Sequence, residues 1–478
     1  MDNLDYLPLT VGDMQLLTPE QAWHYRVIPK LQTEKSLTFF AEDSNGNDAV
    51  AEELEMIFGK QVILEWQEND LIQRTLSKYY RQDKIDTGVL NLQVTANAGD
   101  FLSNLITEAK NLGSSDIHIE VYEERCRVRV RIDGMMVERY VVDKIEYPSL
   151  INKIKIMSNL DISEKRLPQD GRIFFTTHQG NKFDIRVSVL PTLHGEKVVL
   201  RLLSNDATNI DIYKLGFSDF DLNNFLEGVK RPNGILLISG PTGSGKTTTL
   251  YATLKMLNKS TRNILTIEDP IEYTLEGINQ VQLKESIGLN FASALRTFLR
   301  QDPDVIMVGE IRDAETATMA IRAALTGHLV LSTIHTNSAW GTISRLADMG
   351  IPPFLVANTL NTSAAQRLIR KLCPQCKTPK SFDESAYPKQ FKPYRKIDNH
   401  YLAVGCDHCF HTGYKGRKAV YEVIPIDVIL ANHIKSGNFD VSKELQERGI
   451  KTLAENAFDL FEKGETSLEE IYPLLFNF

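Results

Sequence analysis

The chain begins with short mixed segments. Residues 37–41 have the length and apolar content of a strand, residues 49–58 have amphipathic helical spacing, residues 62–66 form a second strand pattern, and a helix is predicted from there through Tyr80. Together they make a small α/β domain over residues 1–82. Arg81-Gln82-Asp83-Lys84-Ile85-Asp86-Thr87-Gly88 is polar and ends in glycine, so a linker is expected over 83–95. The period then changes. Residues 100–112 have helical spacing and residues 116–120 resemble a strand. Residues 125–132 alternate basic and apolar, which puts Arg125, Arg127, Arg129 and Arg131 on one face of a strand and apolar side chains on the other. Asp133-Gly134 signals a hairpin turn, and residues 183–189 alternate again. Residues 96–205 therefore read as antiparallel sheet with helices. From 206 onward strand, loop and helix repeat, as in an α/β nucleotide-binding domain. The apolar runs, such as 235–238 and 305–308, have buried-strand length and fall short of the ~20 residues of a membrane span. No internal repeat or low-complexity tract is visible.

Composition narrows the function. The 478 residues are 42% hydrophobic and 24% charged, ordinary for a globular protein of about three domains. A formal net charge of −8 and the lack of a basic run speak against a protein that works by neutralising phosphate backbones. The acidic start Met1-Asp2-Asn3-Leu4-Asp5 has no apolar core segment, so no secretory signal is expected and membrane attachment is expected only through a partner. Four of the five cysteines form two C-x-x-C pairs and Cys126 stands alone, which points to metal binding and not to a disulfide framework.

The strongest chemical signal is Gly240-Pro241-Thr242-Gly243-Ser244-Gly245-Lys246-Thr247, followed by Thr248, which fits the phosphate-binding pattern G-x-x-x-x-G-K-[ST]. A buried-strand pattern precedes it and a helical pattern over 247–257 follows. The glycines let backbone N–H groups turn toward a phosphate, and the helix N-terminus adds positive potential. Lys246 is expected to reach the β- and γ-phosphates of ATP, and the Thr247 hydroxyl to hold Mg²⁺.

Thr266-Ile267-Glu268-Asp269-Pro270-Ile271-Glu272 places three carboxylates where parallel strands end and ligands bind, although alone it is more often a solvated acidic turn. Residues 305–308 lead into Gly309-Glu310, which resembles a Walker B strand with Glu310 placed to polarise an attacking water. Glu268 is the competing base. Gly309 stands where many such motifs carry a Mg²⁺-binding Asp, so the contact to Mg²⁺ is expected through water or from Glu268. Asp313 is expected to cap the next helix, with Ala317, Ala320, Ile321, Ala324 and Leu325 as its apolar stripe. The strand pattern in 327–337 has a histidine at each end. A lone histidine there is more often structural, but His335 at the tip is a candidate to touch the γ-phosphate. Cys373, Cys376, Cys406 and Cys409 can close a tetrahedral Zn²⁺ site with no role in the chemistry.

These blocks, in this order, resemble the type II secretion and type IV pilus assembly ATPases, the GspE/PilB family. The likeness runs from about Gly113 to Ile426. It includes Ser115-Asp116-Ile117-His118-Ile119-Glu120, Glu164-Lys165-Arg166-Leu167-Pro168-Gln169-Asp170-Gly171-Arg172, Arg186-Val187-Ser188, the Walker A, Asp-box, Walker B and His-box segments, Gln366-Arg367-Leu368, the tetracysteine knuckle and Gly413-Tyr414-Lys415-Gly416-Arg417. The resemblance implies a fold of the α/β multidomain class. A small N-terminal α/β domain is followed by a PAS-like α+β domain at 96–205 and a RecA-like P-loop NTPase domain at 206–370. A zinc-binding subdomain at 371–412 and a C-terminal helical region at 413–478 complete it. It implies a cytoplasmic homohexamer that hydrolyses ATP to drive pseudopilus assembly and protein export. It also implies that Arg186 and Arg201 of the PAS-like domain reach the nucleotide; read without it, both sit on an ordinary exposed basic strand face. The N-terminal domain, which is only weakly similar, would dock on a membrane-anchored GspL-like protein. A polytopic GspF/PilC-like platform protein is the second partner. Members of the retraction subclass lack the knuckle, which favours assembly. The Arg-Leu-Gly pattern of members that bind cyclic di-GMP is not seen, so no such binding is expected. Two other functions compete: a type IV or DNA-uptake pilus assembly ATPase with the same chemistry, and a nucleic-acid-binding P-loop protein with the knuckle as zinc finger, which the acidic charge disfavours.

Overall fold

The computed structural model describes residues 7, 9, 13, 16–17, 19–33, 36–42, 48–80, 98–177, 180, 182–203 and 210–476. The linker expected over 83–95 lies outside them. The chain divides into two compact units, 1–88 and 89–478.

In the first unit, β1 (Val27–Gln32), β2 (Ser36–Glu42) and β3 (Gln61–Gln67) form a sheet in the order β1-β2-β3, antiparallel then parallel. Helices Pro19–Tyr25, Asp48–Phe58 and Asn69–Tyr79 accompany it, and Ile28, Phe39, Leu54, Ile72 and Leu76 fill the core. β1 was not foreseen. Pro29 interrupts its pattern, and the register shifts between Pro29 and Leu31.

The second unit opens with the helix Ala98–Asn111 and a six-stranded antiparallel sheet. Its strands are β4 (Asp116–Val121), β5 (Cys126–Ile132), β6 (Met135–Val142), β7 (Gln169–Thr176), β8 (Lys182–Thr192) and β9 (Gly195–Leu202), in the order β6-β5-β4-β9-β8-β7. The basic–apolar alternation of β5 does what period two requires: Cys126, Val128, Val130 and Ile132 are buried while Arg127, Arg129 and Arg131 lie on the other face. Arg127 and Arg129 pair with the buried Glu120 at 2.9 and 2.8 Å. Burial raises the pKa of Glu120, but these guanidiniums and Lys197 outweigh it and hold the carboxyl at about 2. Asp133 and Gly134 both have positive φ, 49° and 89°, as a type I′ hairpin turn demands.

The nucleotide-domain sheet has seven strands: β10 (Gly234–Ser239), β11 (Ile264–Glu268), β12 (Asn279–Gln282), β13 (Val305–Val308), β14 (Leu329–Ile334), β15 (Leu360–Leu372) and, across the knuckle, β18 (Tyr414–Pro425). They run in the order β12-β11-β13-β14-β10-β15-β18. Six are mutually parallel and β18 is antiparallel to β15. The central strands are buried on both faces, with helices Asp219–Lys230 and Lys246–Leu257 on one core and Phe291–Phe298 and Ala314–Leu325 on the other. Asp313 caps the last of these by accepting from Thr316 N at 2.8 Å. Four of the five stripe residues are buried. Leu325, at the final turn, is 48% exposed. The region from 413, expected to be helical, opens with the twelve residues of β18, so the parallel sheet gains its last strand after the knuckle. Between β15 and β18 the knuckle carries a two-stranded ribbon, β16 (Thr378–Ser381) and β17 (Asn399–Leu402).

Within this unit the PAS-like hairpin touches the knuckle end. Asp133 accepts from Gly416 N at 2.6 Å and faces Arg417 at 3.6 Å.

Candidate functional site

A parallel sheet puts the C-terminal ends of its strands on one edge. Here register aligns them, since Ser239 pairs with Ile334, Val308 with Ser332 and Ile267 with Val308. The residues just beyond those ends therefore converge: Gly240 after β10, Glu268 and Asp269 at β11, Gly309-Glu310 after β13 and His335 after β14.

The loop from Gly240 to Gly245 connects β10 to the helix Lys246–Leu257. Gly245, the N-cap, has φ 88°, and a Cβ there would lie 2.8 Å from Gln366 Nε2, so conformation and space both require glycine. Lys246 folds back along the loop and donates to Gly240 O at 2.7 Å and Pro241 O at 2.9 Å. Burial lowers its pKa to about 8, opposed by Glu310 and helped by Arg367. Pro241, Thr242, Gly243 and Thr247 are exposed, Gly245 and Thr248 are half-buried, and Ser244 is buried.

Glu310 Oε1 accepts from Arg312 at 2.5 Å, and its Oε2 lies 3.4 Å from His335 Nε2. Burial pushes the Glu310 pKa up, but Arg312, His335 and Lys246 together hold it below the usual carboxylate range. Arg312 also faces Asp269 at 3.5 Å, bridging two loops. Gly309 has a local reason: a Cβ there would come within 3.3 Å of Ile267 O on β11. His328, at the far end of β14, caps the preceding helix through Ala323 O at 2.8 Å and stands away from the site.

Glu268 is 3% exposed and fully occupied. One oxygen accepts from Thr266 Oγ1 at 2.6 Å and Gln280 Nε2 at 3.0 Å, and the other accepts from the Tyr251 hydroxyl. The two arginines of the PAS-like sheet part ways. Arg186 Nη2 donates to Ile271 O at 2.7 Å and faces Glu272 at 3.6 Å, on the loop after β11. Arg201 stays within its own sheet, paired with Asp116 at 3.0 Å. Both line a cavity of about 340 Å³ with Asp170, Gly171, Val187, Ser188 and Val199. Sequence reasoning named no role for Arg312, Arg367 or Tyr251. Arg312 stands two residues after Glu310 and could have been found there. Arg367, whose Nη2 reaches Asn337 Oδ1 at 3.3 Å, comes from β15; the block Gln366-Arg367-Leu368 carries the resemblance but by itself points to no role.

In the knuckle the Sγ atoms of Cys373, Cys376, Cys406 and Cys409 all lie within 4.8 Å of one another, and three of the pairs stand at 3.8–3.9 Å. A Zn–S bond of about 2.3 Å makes the edge of a tetrahedron about 3.8 Å, so the four sulfurs fit that ion. Backbone amides of Gly405 and Gly413 donate to Cys376 and Cys409 at 3.3 and 3.2 Å, as thiolates require.

A family model described as type II/IV secretion system protein matches residues 93–473. The type IV pilus assembly ATPase PilB of Myxococcus xanthus is 48% identical over 392 residues, 80% of this chain and 69% of its own length. The type II secretion system ATPase E of Vibrio cholerae is 46% identical over 376 residues, 78% of this chain and 74% of its own. Among solved structures, the pilus retraction motor PilT with bound ADP is 28% identical at a TM-score of 0.53, covering 78% of this chain and 96% of that one. The Legionella pneumophila ATPase DotB, at 21% identity and a TM-score of 0.60 over 81% of this chain and 98% of that one, shows the shared fold. With a phosphate-binding loop, two carboxylates and a histidine on one sheet edge and a match along most of its length, the chain belongs to the type II/IV secretion system protein family and is an ATPase.

Proposed function

We propose that this chain is the motor of a type II secretion system, a cytoplasmic homohexamer held at the inner membrane by its partners, in which ATP hydrolysis drives pseudopilus assembly and protein export. The observation that carries the motor reading is the Arg186 contact. A guanidinium from the PAS-like domain on the loop after β11 makes the site composite, so the relative placement of two domains governs the chemistry. The type II reading is supported by the names of most relatives that cover three quarters of the chain, such as those of Vibrio cholerae and Aeromonas hydrophila. The PilB relative at 48% identity favours a second reading, type IV pilus assembly.

In this reading Lys246 and the loop amides bind the phosphates of ATP, and the Thr247 hydroxyl would hold Mg²⁺, which would supply neutralisation of phosphate charge. Glu310 is the base that orients the attacking water: it is kept ionised, whereas both oxygens of Glu268 are already engaged. His335 beside Glu310 registers loss of the γ-phosphate. Arg186 stabilises the transferring phosphoryl group, with Arg201 in support. The four knuckle cysteines hold one structural Zn²⁺. The N-terminal unit docks on a GspL-like membrane-anchored protein, and its exposed Met56, Ile63 and Trp66 support such a contact. The platform protein is the moving load. Among the described residues no helix is long and apolar enough to cross a membrane.

The test is genetic. Replacing the chromosomal copy by one encoding Lys246→Ala should abolish export of secreted proteins and leave surface pili intact. Loss of pili with unchanged export would select the second reading.

A further inference from the structure

Tyr251 lies on the helix that begins at Lys246 and is 1% exposed. Its hydroxyl donates to Glu268 and accepts from Glu272 N at 3.3 Å. One phenol thus joins three pieces of chain: the helix behind the phosphate-binding loop, the end of β11 and the loop after β11. The same loop receives Arg186 from the PAS-like domain, through Ile271 O at 2.7 Å and the Glu272 carboxylate at 3.6 Å. Burial first, then the Glu268 charge, pushes the phenol pKa upward, so the proton stays on Tyr251 and the bond keeps its direction. The far side of the loop is fixed separately: Ile271 N donates to Gln282 Oε1 at 3.1 Å and Leu275 N to Gln280 Oε1 at 2.6 Å. The near side, at Glu272, rests on Tyr251.

We propose that the Tyr251 hydroxyl is a positioning group that ties the phosphate-binding helix to the loop that receives Arg186, so that nucleotide contact on one domain and arginine contact from the other are held in one geometry. The proposal deepens the composite-site reading and rests on it. The hydroxyl acts through Glu268 and Glu272, the two residues it bonds. Tyr273 provides an internal control. Its ring meets that of Tyr251 edge to face at 4.4 Å, yet its buried hydroxyl has no hydrogen-bond partner among the described residues.

The experiment is a set of turnover and ATP-affinity measurements on full-length Tyr251→Phe, Tyr273→Phe, Arg186→Ala and the Tyr251→Phe/Arg186→Ala double variant, each checked for its melting temperature. Removing the Tyr251 hydroxyl should lower kcat by about tenfold or more while ATP affinity stays within about twofold, because the loss falls on the transition state. Removing the Tyr273 hydroxyl should change neither. In the Arg186→Ala background the further loss from Tyr251→Phe should be under about twofold, since groups acting as a unit are not additive. Wild-type turnover by Tyr251→Phe beside a crippled Arg186→Ala overturns the Tyr251 role alone, as do effects that multiply fully. Near-wild-type turnover by Arg186→Ala overturns the composite-site reading itself. Should Tyr251→Phe not fold, hydrogen exchange on the wild-type protein decides: a non-hydrolysable ATP analogue should protect the Glu272 amide, and an unchanged exchange rate there contradicts the tie.

Discussion

At the scale of single residues, two carboxylates compete for one role, and their surroundings separate them. Glu268 accepts three side-chain hydrogen bonds inside the core, whereas Glu310 is held ionised beside Arg312 and His335. Glu310→Gln should therefore keep nucleotide binding and lose turnover by two to four orders of magnitude, the usual range for a positioned base (about 10²–10⁴). Glu268→Gln should lose less turnover and more thermal stability. A Glu268→Gln that is the deader of the two, with full stability and intact binding, would reverse the assignment. Lys246 offers a pH test. Folding lowers its pKa to about 8 from an unfolded value of about 10.4. Between those values the unfolded chain binds the extra proton, so this group's contribution to stability increases with pH across the window. ATP brings negative charge and draws the proton back. Binding near pH 8.5 should take up a proton, and affinity should weaken as pH rises through about 8. Calorimetry in two buffers of different ionisation enthalpy reads this uptake, and Lys246→Ala should show neither uptake nor turnover.

At the scale of elements, period and motif made most of the site legible. The strand before Gly240, the helix after it and the Asp313 cap all lie where spacing put them, because a buried parallel strand is a short unbroken apolar run and a cap is a local signal. What stayed hidden was non-local. β18 begins Tyr414-Lys415-Gly416-Arg417, polar at its start, and becomes a strand because β15 offers it an edge. Arg367 and Tyr251 reach the site only once β15 and the helix from Lys246 are packed, which no window of sequence reports. The histidines of β14 show the same limit: two ends of one strand read alike, and only the fold puts one beside Glu310 and the other under a helix. The knuckle is an element whose fit to a metal is geometric. Cys406→Ser should release the ion and lower the melting temperature, since a structural zinc contributes directly to folding. Elemental analysis should find one zinc per wild-type chain purified without chelator and less in the variant. Wild-type protein without zinc would contradict the site.

At the scale of the whole molecule, the proposed function depends on two domains meeting. The Arg186 contact joins the PAS-like sheet to the nucleotide domain within one chain. Ring assembly would hold that meeting in place, because a lone subunit must keep its domains together unaided. Specific activity should therefore rise with protein concentration through the range in which sedimentation shows subunits associating, and a flat activity across that range would remove the ring from the account.

The claim at the centre is that catalysis is completed by an arginine from outside the nucleotide domain, and turnover of Arg186→Ala beside its ATP affinity tests it most directly. An arginine at the transferring phosphoryl group is worth about 10³-fold or more in rate, so turnover should fall by that order. Affinity should stay within about threefold, since binding rests on Lys246 and the loop amides. An Arg186→Ala protein that hydrolyses ATP at close to the wild-type rate would contradict the account.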